Sequence, residues 1–126
     1  MRALLLVAHG SRREESNQEV RELAERLRAG SGGRFAWVGH AFLELAQPSI
    51  PEAVAAAAAS GAREVLVLPY FLSAGRHVVK DIPEEVATAL REHPEMRIEV
   101  APYLGAMAGV SDLLLDTAVS HSPAAG

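Results

Sequence analysis

The sequence predicts an α/β domain: an open, doubly wound parallel sheet of four strands with helices on both faces. Three observations carry this. Short apolar runs alternate with longer helix-period segments along the whole chain. The runs Ala3–Ala8 and Val65–Leu68 are continuous rather than alternating, the pattern of strands buried on both faces. Glycine and proline punctuate the junctions. A β-α-β-α-β-α-β-α succession implies right-handed crossovers and a parallel sheet. The expected strand order is 2-1-3-4. It puts the topological switch point between the first and third strands, where open α/β sheets bind ligands beyond the carboxyl ends of their strands.

The elements follow in order. Ala3–Ala8 is the first strand, broken by His9-Gly10-Ser11. Arg13–Leu27 reads as a helix, with Val20, Leu23, Ala24 and Leu27 at i, i+3, i+4 and i+7. A glycine-rich turn, Gly30–Gly33, leads to a second strand within Phe35–Leu43. Ser49-Ile50-Pro51-Glu52 has the form of a helix start: Ser49 as N-cap, proline in the first turn, Glu52 at N3. The alanine run that follows suits close packing on a sheet and stops at Gly61. Val65–Leu68 is the third strand, ended by Pro69, and Tyr70–Lys80 is a loop. Asp81-Ile82-Pro83-Glu84 repeats the helix-start pattern, with Asp81 as N-cap and the helix reaching about Glu92. Met96–Ala101 is the fourth strand and Gly109 to about Val119 the last helix. One domain over residues 1–119 is expected, with a flexible tail over 120–126.

Composition narrows the function. The 126 residues are 49% apolar and 22% charged, close to the globular average. With no cysteine, disulfides, thiolate metal sites, iron–sulfur clusters and thiol nucleophiles are excluded. A cytoplasmic location fits that composition. The net charge of −4 argues against nucleic acid as a partner, because phosphate contacts need a basic face. The N-terminal apolar run is too short to span a membrane, so no membrane association is expected. Neither a Gly-x-Gly-x-x-Gly nor a P-loop pattern occurs, so neither a nucleotide cofactor nor ATP is expected.

The loops after strands one and three each hold a histidine, His9 and His77. Neutral imidazole accepts protons near neutral pH and ligates iron, cobalt, nickel and zinc. Each histidine could instead simply satisfy loop carbonyls, but their joint placement at the switch point favours a site. His40 falls in a strand, where packing is its expected role; His93 sits at a helix end and His121 in the tail. Arg12, Arg13, Arg76 and Lys80, four of the twelve basic residues, crowd the same two loops. They give the mouth a positive field suited to carboxylates, or are ordinary solvated loop residues. Tyr70 and Phe71 are candidates for a crevice wall.

Three stretches resemble the CbiX/SirB group of sirohydrochlorin chelatases. They are Leu5-Leu6-Val7-Ala8-His9-Gly10-Ser11-Arg12, Ala41-Phe42-Leu43-Glu44-Leu45-Ala46-Gln47-Pro48-Ser49-Ile50, and Val67 through Pro83, which includes Phe71-Leu72-Ser73-Ala74-Gly75-Arg76-His77. Pro102-Tyr103-Leu104-Gly105 is similar to the group's closing block. The resemblance implies a class II chelatase fold and ATP-independent insertion of a divalent metal, Co²⁺, Fe²⁺ or Ni²⁺, into a tetrapyrrole of the cobalamin or sirohaem type. It implies that His9 and His77 bind the metal, with His9 also the catalytic proton acceptor. It puts substrate contacts at Gln47 and at Leu72, Ser73, Ala74, Gly75, Arg76 and His77, with Glu44, Arg12, Arg13 and Lys80 as supporting residues. Many members carry Glu at the position of Gln47; Glu44 is the nearby carboxylate here, and as a strand residue it is free to face away. The group's longer members hold two such halves in one chain, so a half-size chain implies a homodimer, with Tyr70, Phe71 and Leu72 as interface candidates. Two other readings fit parts of the same sequence. A non-catalytic tetrapyrrole or metal carrier would use the same fold. A histidine-phosphatase-like hydrolase would need an arginine where Ala8 precedes His9.

Overall fold

Strand β1 (Arg2–Ala8) is the centre of the molecule, buried from Ala3 onward on both faces as its continuous apolar run requires. The computed structural model describes residues 1–121. Helix α1 (Glu14–Gly30) follows, then β2 (Trp37–Phe42), α2 (Ile50–Ala59), β3 (Glu64–Pro69), α3 (Ile82–Glu92), β4 (Arg97–Val100) and α4 (Gly109–Ser120). The four strands form one parallel sheet of order β2-β1-β3-β4, as expected. Residues 122–126, most of the expected tail, lie outside the described residues. Among the described residues no helix is long and apolar enough to cross a membrane.

The two faces differ in depth. Ala3, Leu5 and Val7 of β1 point to one side and meet Ile50, Ala53, Val54 and Ala57 of α2 and Ile82, Val86 and Ala89 of α3. The small alanines let α2 approach closely, as the alanine run suggests. Leu6 and Ala8 point to the other side and meet Val20 and Ala24 of α1. α4 does not close that second face: every residue from Ser111 to Ser120 is exposed.

Local rules place most element ends. Ser49 caps α2 with a reciprocal capping box: its hydroxyl accepts from the Glu52 N–H at 3.2 Å, and the Glu52 carboxylate accepts from the Ser49 N–H at 2.8 Å. Three expectations need correction. Pro69 belongs to β3 rather than ending it, because the ladder passes to the next residue: Tyr70 N–H donates to the Val7 carbonyl at 2.8 Å. The loop expected over Tyr70–Lys80 ends early, since His77–Asp81 form a π-helical turn that runs directly into α3. Asp81 is therefore not an N-cap. Its backbone is already helical (φ −68°, ψ −42°) and its carboxylate is taken by His77.

The carboxyl ends of β1, β2 and β3 carry the site. Ala8 pairs with Phe42 and Val7 with Pro69, so the segments leaving these strands emerge together. The chain leaving β2 is clipped to the chain leaving β1: Leu43 N–H donates to the Ala8 carbonyl and Glu44 N–H to the His9 carbonyl, both at 3.0 Å. Gly10 makes this clip feasible. Its φ is +98°, and a Cβ there would lie 1.8 Å from the Glu44 carbonyl oxygen. Leu45, just beyond, holds φ at +66°, a conformation that costs a non-glycine residue about 1–2 kcal/mol. Asn17 of α1 is buried and closes the other side of the loop, accepting from Ser11 N–H at 2.9 Å and donating to the Ser11 carbonyl at 2.8 Å.

Candidate metal centre

His9 follows β1 directly, and the turn at Gly10 leaves its half-buried ring over the switch point. The β1–β2 clip sets Glu44 beside it, and the His9 Nε2 and Glu44 Oε1 atoms hydrogen-bond. His77 comes from the π-helical turn after β3. Its ring centroid lies 4.2 Å from that of His9, with the planes tilted by 35°. One ligand atom each from His9, Glu44 and His77 lies within 4.8 Å of the other two. That is close to the span of two metal–ligand bonds of about 2.0–2.2 Å each. Two imidazoles and one carboxylate from three different loops thus converge, a donor set that suits first-row dications.

The second nitrogen of His77 is also engaged. Its Nδ1 meets the Asp81 carboxylate at 2.7 Å, one helical turn on. With Nδ1 carrying the proton that Asp81 accepts, the Nε2 lone pair is free for a ligand. Phe71 backs the ring from 6.3 Å, nearly parallel at 25°. A π-helical turn at this point is a recurring feature of functional sites. Here it sets a histidine and its carboxylate four residues apart on one turn.

The other residues expected at the site distribute as follows. Gln47 is exposed; Glu44, expected to be free to face away, supplies the carboxylate of the cluster. It does so because β2 ends at Phe42, so the alternation of a strand no longer governs Glu44. Leu72, Ser73, Ala74, Gly75 and Arg76 form an exposed segment leading to His77, and Leu72 is 76% exposed. That segment is tied back by Gly105 N–H, which donates to the Phe71 carbonyl at 3.0 Å. Arg12, Arg13, Arg76 and Lys80 are all exposed. Arg13 is 3.6 Å from the Glu15 carboxylate; among the described residues the other three have no ion pair. His40 stays away from the cluster, packing edge-on against Phe42 at 5.5 Å. Burial, helped by the charge of Arg21, holds its pKa below the ordinary histidine value. His93 is the C-cap of α3, its side chain 3.7 Å from Glu95. Asp81 is the residue that sequence reasoning assigned elsewhere. Its spacing of four from His77 was a signal only if the helix began a turn earlier than its proline suggested.

A four-stranded parallel sheet of this order, with a histidine-and-carboxylate cluster at its switch point, defines an α/β domain of the chelatase fold. The CbiX family model matches residues 3–120, and the chain belongs to that family. It is 37% identical over 113 residues to the chloroplastic sirohydrochlorin ferrochelatase of Arabidopsis thaliana, covering 90% of this chain and 48% of the relative. It is 43% identical over 84 residues to the sirohydrochlorin cobaltochelatase of Methanopyrus kandleri, covering 67% of this chain and 57% of the relative. Among solved structures it is similar to the sirohydrochlorin chelatase SirB of Bacillus subtilis subspecies spizizenii in complex with cobalt. There the TM-score is 0.81 at 30% identity, over 94% of this chain and 50% of the other. The chain spans about half the length of both curated relatives.

Proposed function

We propose that two copies of this chain insert a divalent metal, Co²⁺ or Fe²⁺ and by the same donor chemistry Ni²⁺, into sirohydrochlorin without ATP. The carrying observation is the convergence of His9, Glu44 and His77 at the switch point of a CbiX-family domain. Insertion forms four metal–nitrogen bonds and releases two pyrrole protons for each dication taken up. The cluster meets both halves of that balance. His77 and Glu44 replace waters on the ion, while His9 holds the ion on entry and then, once the ion has passed to the macrocycle, takes the two protons one after the other and hands each to water. Glu44, already hydrogen-bonded to His9, steadies the imidazolium that results. The exposed 72–76 segment, which leads to His77, and the exposed Gln47 are the substrate contacts in this reading. A cytoplasmic setting belongs to the same proposal.

The test is an absorbance assay of sirohydrochlorin with Co²⁺, Fe²⁺ or Ni²⁺, each with and without protein and with no nucleotide. Acceleration over many turnovers is expected with at least one metal. A spectral change that stops at one equivalent per protein would mark a carrier, and a rate equal to the protein-free control with every metal would end the proposal.

Arg12, Arg76 and Lys80 are free to steer a polycarboxylate macrocycle. Steering by exposed charges weakens as the Debye length falls from about 10 Å at 0.1 M salt to about 3 Å at 1 M. KM for the macrocycle should therefore rise with ionic strength. A KM that salt does not move would leave these residues with solvation alone.

Asp81 is assigned as a positioning residue. Removing such a partner of a ligating histidine typically costs about 10–100-fold in metal affinity. Asp81→Asn should weaken Co²⁺ binding, measured by titration of the protein without macrocycle, on that scale. Wild-type affinity in this variant would show that the His77–Asp81 contact serves only the fold.

A further inference from the structure

Pro102-Tyr103-Leu104-Gly105, the stretch similar to the family's closing block, supplies no donor to the metal cluster. Its place in the fold is beside the segment that leads to His77. Beyond β4, Ala101 N–H donates to the Val67 carbonyl at 2.9 Å and Gly105 N–H to the Phe71 carbonyl at 3.0 Å. The chain leaving β4 is thus stapled to the chain leaving β3. Leu104–Ala106 form one 3₁₀ turn, closed by Ala106 N–H donating to the Tyr103 carbonyl at 2.9 Å. Gly105 is required there for a single reason. Its backbone lies outside the left-handed region, so an alanine incurs no conformational penalty of that kind. A Cβ, however, would lie 1.8 Å from the Leu72 carbonyl oxygen and 3.0 Å from the Leu72 Cα. Any side chain at position 105 pushes the two backbones apart.

The 72–76 segment depends on that contact. At its far end the N–H groups of Val78 and Val79 both donate to the Gly75 carbonyl at 3.1 Å, and Asp81 holds His77 at 2.7 Å. At its near end the Gly105 bond holds Phe71. Between the two, Leu72, Ser73 and Ala74 are exposed, and their N–H groups pair with no backbone carbonyl among the described residues. A strap with so few bonds of its own keeps its shape only as well as its ends are held. We infer that Gly105 is a positioning residue for the macrocycle: its close approach to Leu72 fixes the near end of the 72–76 strap, and with it the place of the free N–H groups and of Arg76 that meet the macrocycle's carboxylates. The inference rests on the reading of 72–76 as substrate contacts and adds a residue outside them. It has a specific consequence. The metal centre is held from the α3 side by Asp81 and the macrocycle seat from the β4 side by Gly105, so each is open to separate perturbation.

Two titrations of the full chain test this, neither of which needs turnover: metal-free sirohydrochlorin with no metal present, followed by absorbance, and Co²⁺ with no macrocycle present. Gly105→Ala should weaken macrocycle binding by about 10-fold or more, the loss of one hydrogen bond to a charged group, and leave Co²⁺ binding at the wild-type value. Gly30→Ala is the control. Gly30 also lies outside the left-handed region, has nothing within 4 Å of a would-be Cβ, and ends α1, so both titrations should be unchanged. Ala106→Pro is the second variant, should Gly105→Ala fail to fold. It removes the N–H that closes the 3₁₀ turn, at an exposed residue, and inserts no group at position 105. It should give the same split between macrocycle and metal. Macrocycle binding unchanged in the folded variants would overturn the inference. Co²⁺ binding weakened as much as macrocycle binding would overturn it too, because the change would then be a general distortion of the site. Failure of the proposed function looks different: the wild-type chain would itself bind no sirohydrochlorin, and the role of Gly105 would fall with it.

Discussion

His9→Ala should lower the rate of metal insertion by about 10²-fold or more, the usual loss when a positioned proton acceptor is removed. The effect is large because the ring serves twice. It is one of three donors within 4.8 Å of one another, and it is the imidazole that the Glu44 carboxylate contacts directly. Removing it takes away one of the three donors and leaves Glu44 without its partner. His77→Ala should act mainly on metal use. Its ring is held by Asp81 at 2.7 Å and backed by Phe71, an arrangement that presents its other nitrogen at a fixed point. The metal concentration giving half-maximal rate should rise strongly in that variant. His93→Ala is the control: the residue caps α3 and sits beside Glu95, and its loss should leave the rate unchanged. Initial rates at varied metal concentration separate the three. Full activity in both His9→Ala and His77→Ala would refute the assignment of the centre.

Gly10→Ala should be nearly as damaging, although glycine carries no chemistry. Adopting φ +98° costs an alanine on the order of 1–2 kcal/mol by itself. The larger effect is steric. The new Cβ would lie 1.8 Å from the Glu44 carbonyl oxygen, so the 43–45 segment must move away and the Glu44–His9 backbone bond must break. Glu44 is then carried off His9, and the donor set opens. Gly61→Ala isolates this second effect. Gly61 has φ +100° but nothing within 4 Å of the would-be Cβ, so its replacement incurs the backbone cost alone, far from the site. Thermal unfolding should show both variants destabilised, Gly10→Ala more, and only Gly10→Ala should lose insertion activity, by about 10-fold or more for a lost ligand and orienting partner. Equal stability losses with activity kept in both would mean that the Gly10 turn does not set the position of Glu44.

Two four-residue stretches show how far local pattern reaches. Ser49-Ile50-Pro51-Glu52 and Asp81-Ile82-Pro83-Glu84 have the same form, a capping residue, isoleucine, proline and glutamate. The first is a capping box in every detail. In the second the helical path starts at His77, because the imidazole takes the carboxylate that would have capped the helix and the backbone closes a π-helical turn around the pair. The residues are equivalent locally; a side chain four positions upstream changes the outcome.

What the sequence determined by itself is the scaffold and the two histidines: the buried run of β1, the parallel order 2-1-3-4, the cap of α2, and His9 and His77 facing the switch point. Each follows from a property that acts along the chain, such as periodicity, capping and crossover handedness. The tertiary structure alone decided three things. It set Glu44 against His9 across 35 positions of sequence, through strand register and the close approach at Gly10. It turned Asp81 from a cap into the support of His77. It left α4 off its own sheet. All three depend on which surfaces meet in space, and no pattern along the chain encodes contacts between segments whose relative placement is set by the packing of everything between them.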